Sequence, residues 1–455
     1  MNARRAILLL VCFVLTIPLL IQARPVGADL SRPNIIIVIT DDQFAESVGI
    51  MRKVMANPYG KWVQFPQGFT VDSIGGVSRV SLLTGQYTHH HLINDNFNTR
   101  YLNDNKLLPV WLKNEGYYTA FIGKYLNGYP NVWGGRKYIP PGWDSFLYYG
   151  HKKVDVYNKQ AVTVLTKAID TQDKPFFLWL AHRAPQRKAI PPIRYQDADV
   201  SAVPLPTTKP NFNEADVSDK PARVKFTPLL IPGGYSYKIK GYPGYMWDPL
   251  WVVDEFTRSL RQTLAIDDGM QMIVDLLAEK GELDNTVIFF ISDSGYSWGS
   301  HRKVGRGCPY EECNQIPFLV FYPGLKNPGG ATPYAINRLV SNVDITATIV
   351  ELAELQPNLQ PQDGNSLLPL LDAVAPNNPA QTPWPDVLLI ENLCGTTFAG
   401  VRTTEWKYLE NGDGFRELYD LVNDPFELKN QAKNPAYASV IPPLAAKLDE
   451  LLADD

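Results

Sequence analysis

Short apolar runs alternate with longer amphipathic segments along most of the chain. Polar or turn residues bound each apolar run, which is typical of strands buried in a sheet. The predicted strands are 35–40, 118–122, 175–181, 287–292 and 318–322. Apolar residues at helical spacing predict helices at 106–115, 255–280 and 343–353. Strands separated by helices indicate an α/β fold, with a large mixed, mainly parallel sheet covered by helices on both faces.

The pattern changes at the segment DAVAPNNPAQTPW, residues 372–384, whose composition is typical of a linker. Beyond it, apolar and polar residues alternate as in antiparallel strands, and residues 441–452 have the periodicity of an amphipathic helix. We therefore expect one large α/β domain at 32–372. A small C-terminal subdomain at 385–455 should contain an antiparallel sheet and a helix.

The first 28 residues have the features of a secretory signal peptide. Arg4 and Arg5 precede an almost wholly apolar run at 6–21, and small residues follow it. An uncleaved N-terminal anchor is the alternative, but the run is short for a bilayer span and Pro18 interrupts it. No later segment approaches the roughly 20 apolar residues that a span needs. We therefore expect signal peptide 1–28, a secreted or periplasmic protein, and no membrane span after cleavage.

The overall charge argues against one class of partner. The chain has 43 Lys and Arg against 47 Asp and Glu, a net charge of −4. No basic excess is available to neutralise phosphates, so nucleic acid is not an expected partner. The sequence does not indicate an oligomeric state.

Cysteine and histidine offer few candidate metal sites. Cys308 and Cys313 flank PYEE and could close a small disulfide loop, which would leave one thiol of the mature chain unpaired. No second Cys or His pair lies at zinc-ligand spacing. The run His89, His90 and His91 could bind a metal, but adjacent residues do not easily converge on one ion. We interpret it as a polar pocket rim or a solvated loop.

Charged residues follow three of the predicted strands. Asp41 and Asp42 end the first strand, Asp293 and Ser294 end another, and Lys124 follows a third. Ligands of open α/β sheets bind at the carboxyl ends of the strands. Carboxylates from two such strands would form a cage of hard oxygens suited to calcium or magnesium. The alternative is that Asp41 and Asp42 only cap a following helix.

The stretch SIGGVSRVSLLTGQY, residues 73–87, resembles an anion site. Gly75 and Gly76 would let the backbone pass close to a ligand, and Ser78 could be the N-cap of a helix. The free N–H groups of that helix and the Arg79 guanidinium would then bind an anion. Gly-Gly before a helix is common, so the signal gains weight only beside the aspartates at the strand ends.

Together these motifs resemble the sulfatase family, within the alkaline-phosphatase-like superfamily and especially its arylsulfatase and N-acetylglucosamine-6-sulfatase branch. The similarity covers nearly the whole mature chain. It is carried by RPNIIIVITDDQ (32–43), SRVSLLTGQY (78–87), GYYTAFIGKYLNGY (116–129), ELDNTVIFFISDSGY (282–296), YEECNQIPFLVFYPG (310–324), VDITATIVELA (343–353) and ELYDLVNDPFE (417–427).

The resemblance implies a formylglycine nucleophile, and this chain departs from the family there. In the pattern Cys/Ser-x-Pro-x-Arg-x4-Thr-Gly, the first residue is oxidised to formylglycine, whose hydrate attacks sulfur. Counting back from Arg79, Gly75 occupies the nucleophile position and Val77 the proline position. Glycine has no side chain, so neither formylglycine nor another side-chain nucleophile can form there.

Other family positions are kept or replaced. Asp41, Asp42 and Asp293 match calcium ligands, and Ser294 stands where an asparagine is usual. By resemblance, catalytic roles fall to Arg79, Lys124 and His301, and substrate contacts to Lys124, Gln186, His301 and Arg306. Gln186 replaces a common histidine. Arg306 replaces a lysine and is a poor proton donor, because a guanidinium has a very high pKa and stays protonated.

Two main hypotheses follow. The chain is a sulfuric-ester hydrolase acting on aryl or carbohydrate sulfate esters with a bound Ca²⁺ or Mg²⁺, its nucleophile supplied by Ser73, Ser78 or a metal-bound water. Alternatively, it is an inactive pseudo-sulfatase that binds sulfated glycans or a partner protein. A formylglycine written as glycine would restore Gly75 but would not explain the other replacements. A weaker hypothesis is a phosphate-ester or phosphonate hydrolase, which also needs a nucleophile at this position.

Overall fold

A computed structural model describes residues 32–131, 134–135, 137–150, 153–233, 237–238, 245–325, 330, 332–356, 362–372, 382–395 and 397–453. The expected signal peptide at 1–28 and most of the linker at 372–384 lie outside these residues. Within them, no helix has both the length and the apolar character needed to cross a bilayer.

The strands of the described chain are β1 (Asn34–Thr40), β2 (Trp62–Gln64), β3 (Gly68–Phe69), β4 (Tyr118–Gly123), β5 (Ser145–Tyr148), β6 (Phe176–Ala181), β7 (Tyr237–Lys238), β8 (Tyr245–Met246), β9 (Thr286–Ser292), β10 (Ser297–Trp298), β11 (Val304–Gly305), β12 (Phe318–Phe321), β13 (Tyr334–Ala335), β14 (Val340–Ser341), β15 (Val387–Asn392), β16 (Phe398–Thr403), β17 (Trp406–Asn411) and β18 (Arg416–Asp420). The α-helices are α1 (Arg52–Met55), α2 (Gly75–Thr84), α3 (Thr88–His91), α4 (Leu108–Asn114), α5 (Val154–Thr171), α6 (Ala222–Lys225), α7 (Pro249–Glu279), α8 (Glu311–Asn314), α9 (Asn342–Leu352), α10 (Leu368–Asp372) and α11 (Ile441–Ala453).

Eight strands form the central sheet in the order β13-β2-β12-β9-β1-β6-β4-β5. Strands β9, β1, β6, β4 and β5 are parallel, whereas β12 runs antiparallel to both β9 and β2. The predicted large, mixed and mainly parallel sheet is confirmed. Each of the five predicted strands is present, with its ends shifted by no more than one residue.

Side chains of β1 alternate between two apolar cores. Ile35, Ile37 and Ile39 belong to the core that contains residues of α2, α4 and α9. Ile36 and Val38 belong to the core that contains residues of α5 and α7. Because both faces of the strand are buried, its sequence is continuously apolar. The helices therefore cover both faces of the sheet, as the alternation of elements predicted.

Two helix starts differ from the sequence interpretation by more than two residues. Helix α7 begins at Pro249 and not near residue 255, because the Asp248 side chain caps it by accepting a hydrogen bond from the Leu250 N–H at 2.8 Å. Proline is well suited to the first turn of a helix. Helix α2 begins at Gly75 with Ile74 as its N-cap residue, so the expectation that Ser78 caps this helix is wrong.

The C-terminal part has its own sheet. Strands β15 to β18 are joined in sequence order and are all antiparallel. Leu444 and Leu448 of α11 share an apolar cluster with residues of this sheet, including Val401 and Tyr408. The expected antiparallel sheet and helix are thus present, while the domain limits 32–372 and 385–455 stay predictions. Cys308 and Cys313 form a disulfide bond, and Cys394 is the free cysteine of the described residues.

Candidate active site

The carboxyl ends of β1 and β9 bring three buried aspartates together. The two strands are paired in register, with Thr40 opposite Ser292, so Asp41 and Asp293 follow at neighbouring positions. Oxygens of Asp41, Asp42 and Asp293 all lie within 4.8 Å of one another. Asp42 has a φ of 64°, an uncommon conformation for a non-glycine residue and one that recurs at functional sites. The alternative that Asp41 and Asp42 only cap a helix does not account for this convergence.

Three cationic side chains pair with these aspartates. Lys124 Nζ lies 2.6 Å from Asp41 Oδ2, and Arg79 Nη1 lies 3.1 Å from Asp293 Oδ2. Arg306 forms an ion pair with Asp42. We call these six residues the acid–cation cluster: Asp41, Asp42, Asp293, Arg79, Lys124 and Arg306.

Two further predicted residues lie against the cluster. The Ser294 hydroxyl donates to Asp42 Oδ1 at 3.2 Å, and Gln186 Nε2 lies 3.5 Å from Asp41 Oδ1. The structure thus gathers all the site residues that the sequence proposed, except His301. Asn127 was missed: its Oδ1 accepts a hydrogen bond from Arg79 Nη2 at 3.2 Å. Asn127 lies in the motif GYYTAFIGKYLNGY (116–129), three residues after Lys124. This short spacing from a predicted site residue is the sequence feature that could have identified it.

Gly75 occupies the first position of α2 and is buried against the cluster. A Cβ added there would overlap Asp293 Oδ2, so the carboxylate fills the space that a side chain would need. The next residue, Gly76, donates its N–H to Asn96 Oδ1 at 2.9 Å. Position 75 therefore presents only backbone to the site.

The two serines considered as substitute nucleophiles have other partners. Ser73 is fully buried, and its hydroxyl donates to the Cys308 carbonyl at 3.4 Å. The Ser78 hydroxyl lies 2.8 Å from Thr70 Oγ1 and accepts a hydrogen bond from Asn342 Nδ2 at 3.3 Å. These contacts tie both hydroxyls to the scaffold.

Burial and charge act against each other in the cluster. Burial alone would raise the pKa of Asp41, but the charges of Lys124, Arg306 and Arg79 hold it below its ordinary value. Burial, reinforced by the charge of Asp41, raises the pKa of Asp293. Burial also lowers the pKa of Lys124. The charged form of Asp293 is thus disfavoured by its surroundings, and a further cation beside it would stabilise that form.

The donor set fits a hard divalent cation. Three carboxylates meet within the span of one coordination shell, and oxygen is the ligand atom that calcium and magnesium prefer. The weakly supported charge of Asp293 points the same way. The geometry meets the requirement for such a site, while the presence of a cation and its identity both stay predictions.

His301 lies in a different environment from the one expected. Its Nδ1 is 2.6 Å from Glu214 Oε2, its ring lies 4.1 Å from that of Tyr310, and its Nε2 is 3.4 Å from Asn211 Nδ2. None of its described contacts is with the acid–cation cluster. The partners Glu214 and Asn211 belong to the long segment between β6 and α7. Nothing in the spacing of the sequence indicates that this segment contacts His301.

The three adjacent histidines do not converge. His89 Nδ1 lies 3.0 Å from Glu391 Oε2, His90 Nδ1 lies 2.8 Å from Asp363 Oδ2, and His91 Nε2 lies 3.0 Å from the Ser81 hydroxyl. Each ring has its own partner, so the run joins neighbouring segments and does not form a shared metal site.

Fold and site together define an α/β protein of the alkaline-phosphatase-like class, with charged residues gathered at the carboxyl edge of its sheet. The sequence profile of the family described as "Sulfatase" matches residues 33–355. A second profile, "N-sulphoglucosamine sulphohydrolase, C-terminal", matches residues 299–454. The chain belongs to the sulfatase family.

Similar proteins agree with this assignment. The chain is 28% identical to the human N-acetylglucosamine-6-sulfatase, over 90% of this chain and 82% of that protein. It is also 28% identical to the Drosophila melanogaster extracellular sulfatase SULF-1 homolog, over 79% of this chain but only 33% of that protein's length. A solved structure, described as a complex with its substrate D-glucosamine-2-N,6-O-disulfate, has a TM-score of 0.68 at 22% identity and covers 93% of this chain and 99% of its own. That structure supports the fold.

Proposed function

We propose that this chain binds the sulfate group of a sulfated carbohydrate at the acid–cation cluster, together with a divalent cation such as calcium. We further propose that it does not hydrolyse the ester through residue 75. The observation that carries the proposal is the pairing of Arg79, Lys124 and Arg306 with three buried carboxylates beside a glycine.

The charges of the cluster support anion binding. Three carboxylates and three cationic side chains balance one another as they stand. With a divalent cation held by the aspartates, the cluster would carry an excess of about two positive charges, which would attract a sulfate ester. Arg79, Lys124 and Arg306 would then be free to donate charge-assisted hydrogen bonds to its oxygens.

The absent nucleophile supports binding without turnover. Position 75 has no side chain, and the hydroxyls of Ser73 and Ser78 are engaged elsewhere. Removing a catalytic nucleophile typically costs several orders of magnitude in rate, while the binding contacts remain.

The class of ligand rests on the relatives. One relative is named N-acetylglucosamine-6-sulfatase, and one solved structure contains a glucosamine disulfate. We therefore propose a sulfated amino sugar as the first ligand to test. We also propose export from the cytoplasm, supported by the pattern of residues 1–28 and by relatives named extracellular sulfatases.

Hydrolysis by an unidentified nucleophile is the second candidate function. It is favoured by one observation: Arg79, Lys124 and Arg306 all pair with the aspartates of the acid–cation cluster, beside the position that a nucleophile would occupy. A sulfate-release assay on protein whose peptide mass shows an unmodified Gly75 separates the two functions.

The binding experiment is a calorimetric titration of glucosamine 6-sulfate into the calcium-loaded chain, with unsulfated glucosamine as the matched control. We expect binding that requires the sulfate group, weakens with added salt and is lost when a chelator removes the cation. Equal binding of the two sugars would contradict the proposal.

A further inference from the structure

A second group of potential metal ligands lies where three segments meet. His301 is in the β10–β11 hairpin, Glu312 is in α8, and Glu427 follows β18. One potential ligand atom from each of these residues lies within 4.8 Å of the other two. We call this group the histidine–glutamate cluster. None of its three residues belongs to the acid–cation cluster.

His301 is oriented as metal-binding histidines usually are. It is 1% exposed, and its Nδ1 lies 2.6 Å from Glu214 Oε2. With the proton on Nδ1 donated to that carboxylate, Nε2 carries a lone pair. A carboxylate behind the ring fixes the tautomer and raises the basicity of the ligating nitrogen. The described hydrogen-bond partner of Nε2 is Asn211 Nδ2 at the long distance of 3.4 Å.

Two buried side-chain oxygen atoms of residues near His301 have unused acceptor capacity. Glu312 Oε1 accepts a hydrogen bond from Asn211 Nδ2 at 2.7 Å, but Glu312 Oε2 has no hydrogen-bond donor among the described residues. Asn211, which is fully buried, likewise has no described donor to its Oδ1. Buried acceptors without donors are rare in folded proteins and often indicate an ion or water. Both belong to side chains that contact the cluster.

The nearby cations Lys407 and Arg402 pair with Glu311 and Glu427 and not with Glu312. Lys407 Nζ lies 2.7 Å from both Glu311 and Glu427, and Arg402 Nη2 lies 3.0 Å from Glu311. No ion pair within 4.0 Å is described for Glu312. Glu312 therefore has no cation within ion-pair distance among the described residues, although the charge of Lys209 acts on it from farther away.

A pocket that opens to solvent reaches Glu312. An open pocket of about 280 Å³ is lined by Glu312, Lys209, Arg402 and Phe426, among other residues. Glu312 is therefore the member of the cluster that this pocket reaches.

We propose that His301, Glu312 and Glu427 bind one divalent transition metal, for which Zn²⁺ is the probe. One imidazole nitrogen with two carboxylates suits such a metal, whereas calcium prefers six to eight oxygens. The metal joins the hairpin that precedes Arg306 to α8 and to the C-terminal subdomain. It is structural and does not depend on sulfate binding.

The test is calorimetric titration of Zn²⁺ into the tag-free full chain, stripped of metals and then saturated with Ca²⁺. We expect one Zn²⁺ site in the wild type and at least 100-fold weaker binding in Glu312→Gln and Glu427→Gln. Glu214→Gln, which removes the partner of the ring, should weaken binding by about 10- to 100-fold. Glu46→Gln, an exposed carboxylate in the same pocket, is the matched control and should bind Zn²⁺ as the wild type does.

A second readout, the visible absorption of the Co²⁺-loaded wild type, does not depend on whether a variant folds. Co²⁺ bound by His301 should give visible d–d absorption bands in the wild type. These bands should be lost in Glu312→Gln, where the substituted residue is only half-buried. Absence of Zn²⁺ binding by the wild type would overturn the proposal, and so would Glu312→Gln and Glu427→Gln variants that both bind Zn²⁺ unchanged.

Discussion

The two sides of the candidate active site differ in what they provide. The strand side, made by the ends of β1, β4 and β9, supplies buried charges that face one another. The helix side, at the start of α2, supplies Arg79 and backbone but no side chain at residue 75. Under the proposed function, anion binding would depend mainly on the first side, and hydrolysis would require a nucleophile on the second. The comparison therefore separates recognition of a sulfate ester from its cleavage.

The largest effect should come from giving the helix side its nucleophile. In a host that makes formylglycine, Gly75→Cys combined with Val77→Pro should raise sulfate release by at least about 10³-fold over the wild type. The variant must move the Asp293 carboxylate, because a Cβ at residue 75 would overlap its Oδ2. A chromogenic aryl sulfate provides the assay, and mass spectrometry confirms the modified residue. An inactive but fully modified variant would show that Gln186, Ser294 and Arg306 have altered the strand side as well.

Removing Arg79 should affect both sides together. Arg79 is 2% exposed and pairs with the fully buried Asp293, so Arg79→Met leaves a buried carboxylate without its partner. We expect a loss of about 3–5 kcal/mol in the free energy of unfolding and sulfate binding weakened at least 10-fold. Urea unfolding and calorimetry measure the two effects. Lys113→Met, which removes an exposed ion pair with Asp144, is the control and should cost less than about 1 kcal/mol.

The stability of the helix side should depend on pH. Helix α9 holds α2 through Asn342, and Asp344 caps α9 by accepting a hydrogen bond from the Ser341 N–H. Burial raises the pKa of Asp344 to about 7. The folded chain thus keeps a proton that the unfolded chain releases above about pH 4, so this residue should lower the free energy of unfolding as pH rises towards 7.

Because of Asp344, the free energy of unfolding should fall by about 4 kcal/mol between about pH 4 and pH 7. Above that range this residue should cause no further change. Urea unfolding of the wild type and of Asp344→Asn at pH 5 and pH 8 measures this contribution. Asparagine does not titrate, so the difference between the two proteins should change with pH only through Asp344. A difference between the two proteins that is the same at both pH values would contradict the assignment.

The smallest effect concerns the space at residue 75. Gly75→Ala places a methyl group against Asp293 Oδ2 and should cost about 1–3 kcal/mol of stability, less when calcium is bound. Gly49→Ala is the matched control, since its added Cβ meets only Val203 at an ordinary 3.8 Å. Thermal unfolding with and without calcium measures both variants. Equal stabilities of the two variants would mean that Asp293 does not occupy this space.

Sequence patterns predicted the strand side well and the helix side less well. Asp41 and Asp293 could be placed together because parallel neighbouring strands end at the same edge of a sheet. The N-cap of α2 was misplaced at Ser78, because Gly75 and Gly76 are poor helix formers that tertiary contacts nevertheless hold in the first turn. The surroundings of His301 could not be predicted, since Glu214 and Glu427 come from distant loops whose path depends on packing.

The most direct test measures binding and turnover on the same sample. Calcium-loaded wild type, with an unmodified Gly75 verified by peptide mass, is incubated with saturating glucosamine 6-sulfate, and bound sugar and free sulfate are quantified over time. The account predicts bound sugar close to one per chain and less than one sulfate released per chain. Many sulfates released per chain by unmodified protein would contradict it, because a nucleophile other than residue 75 would then have to be present.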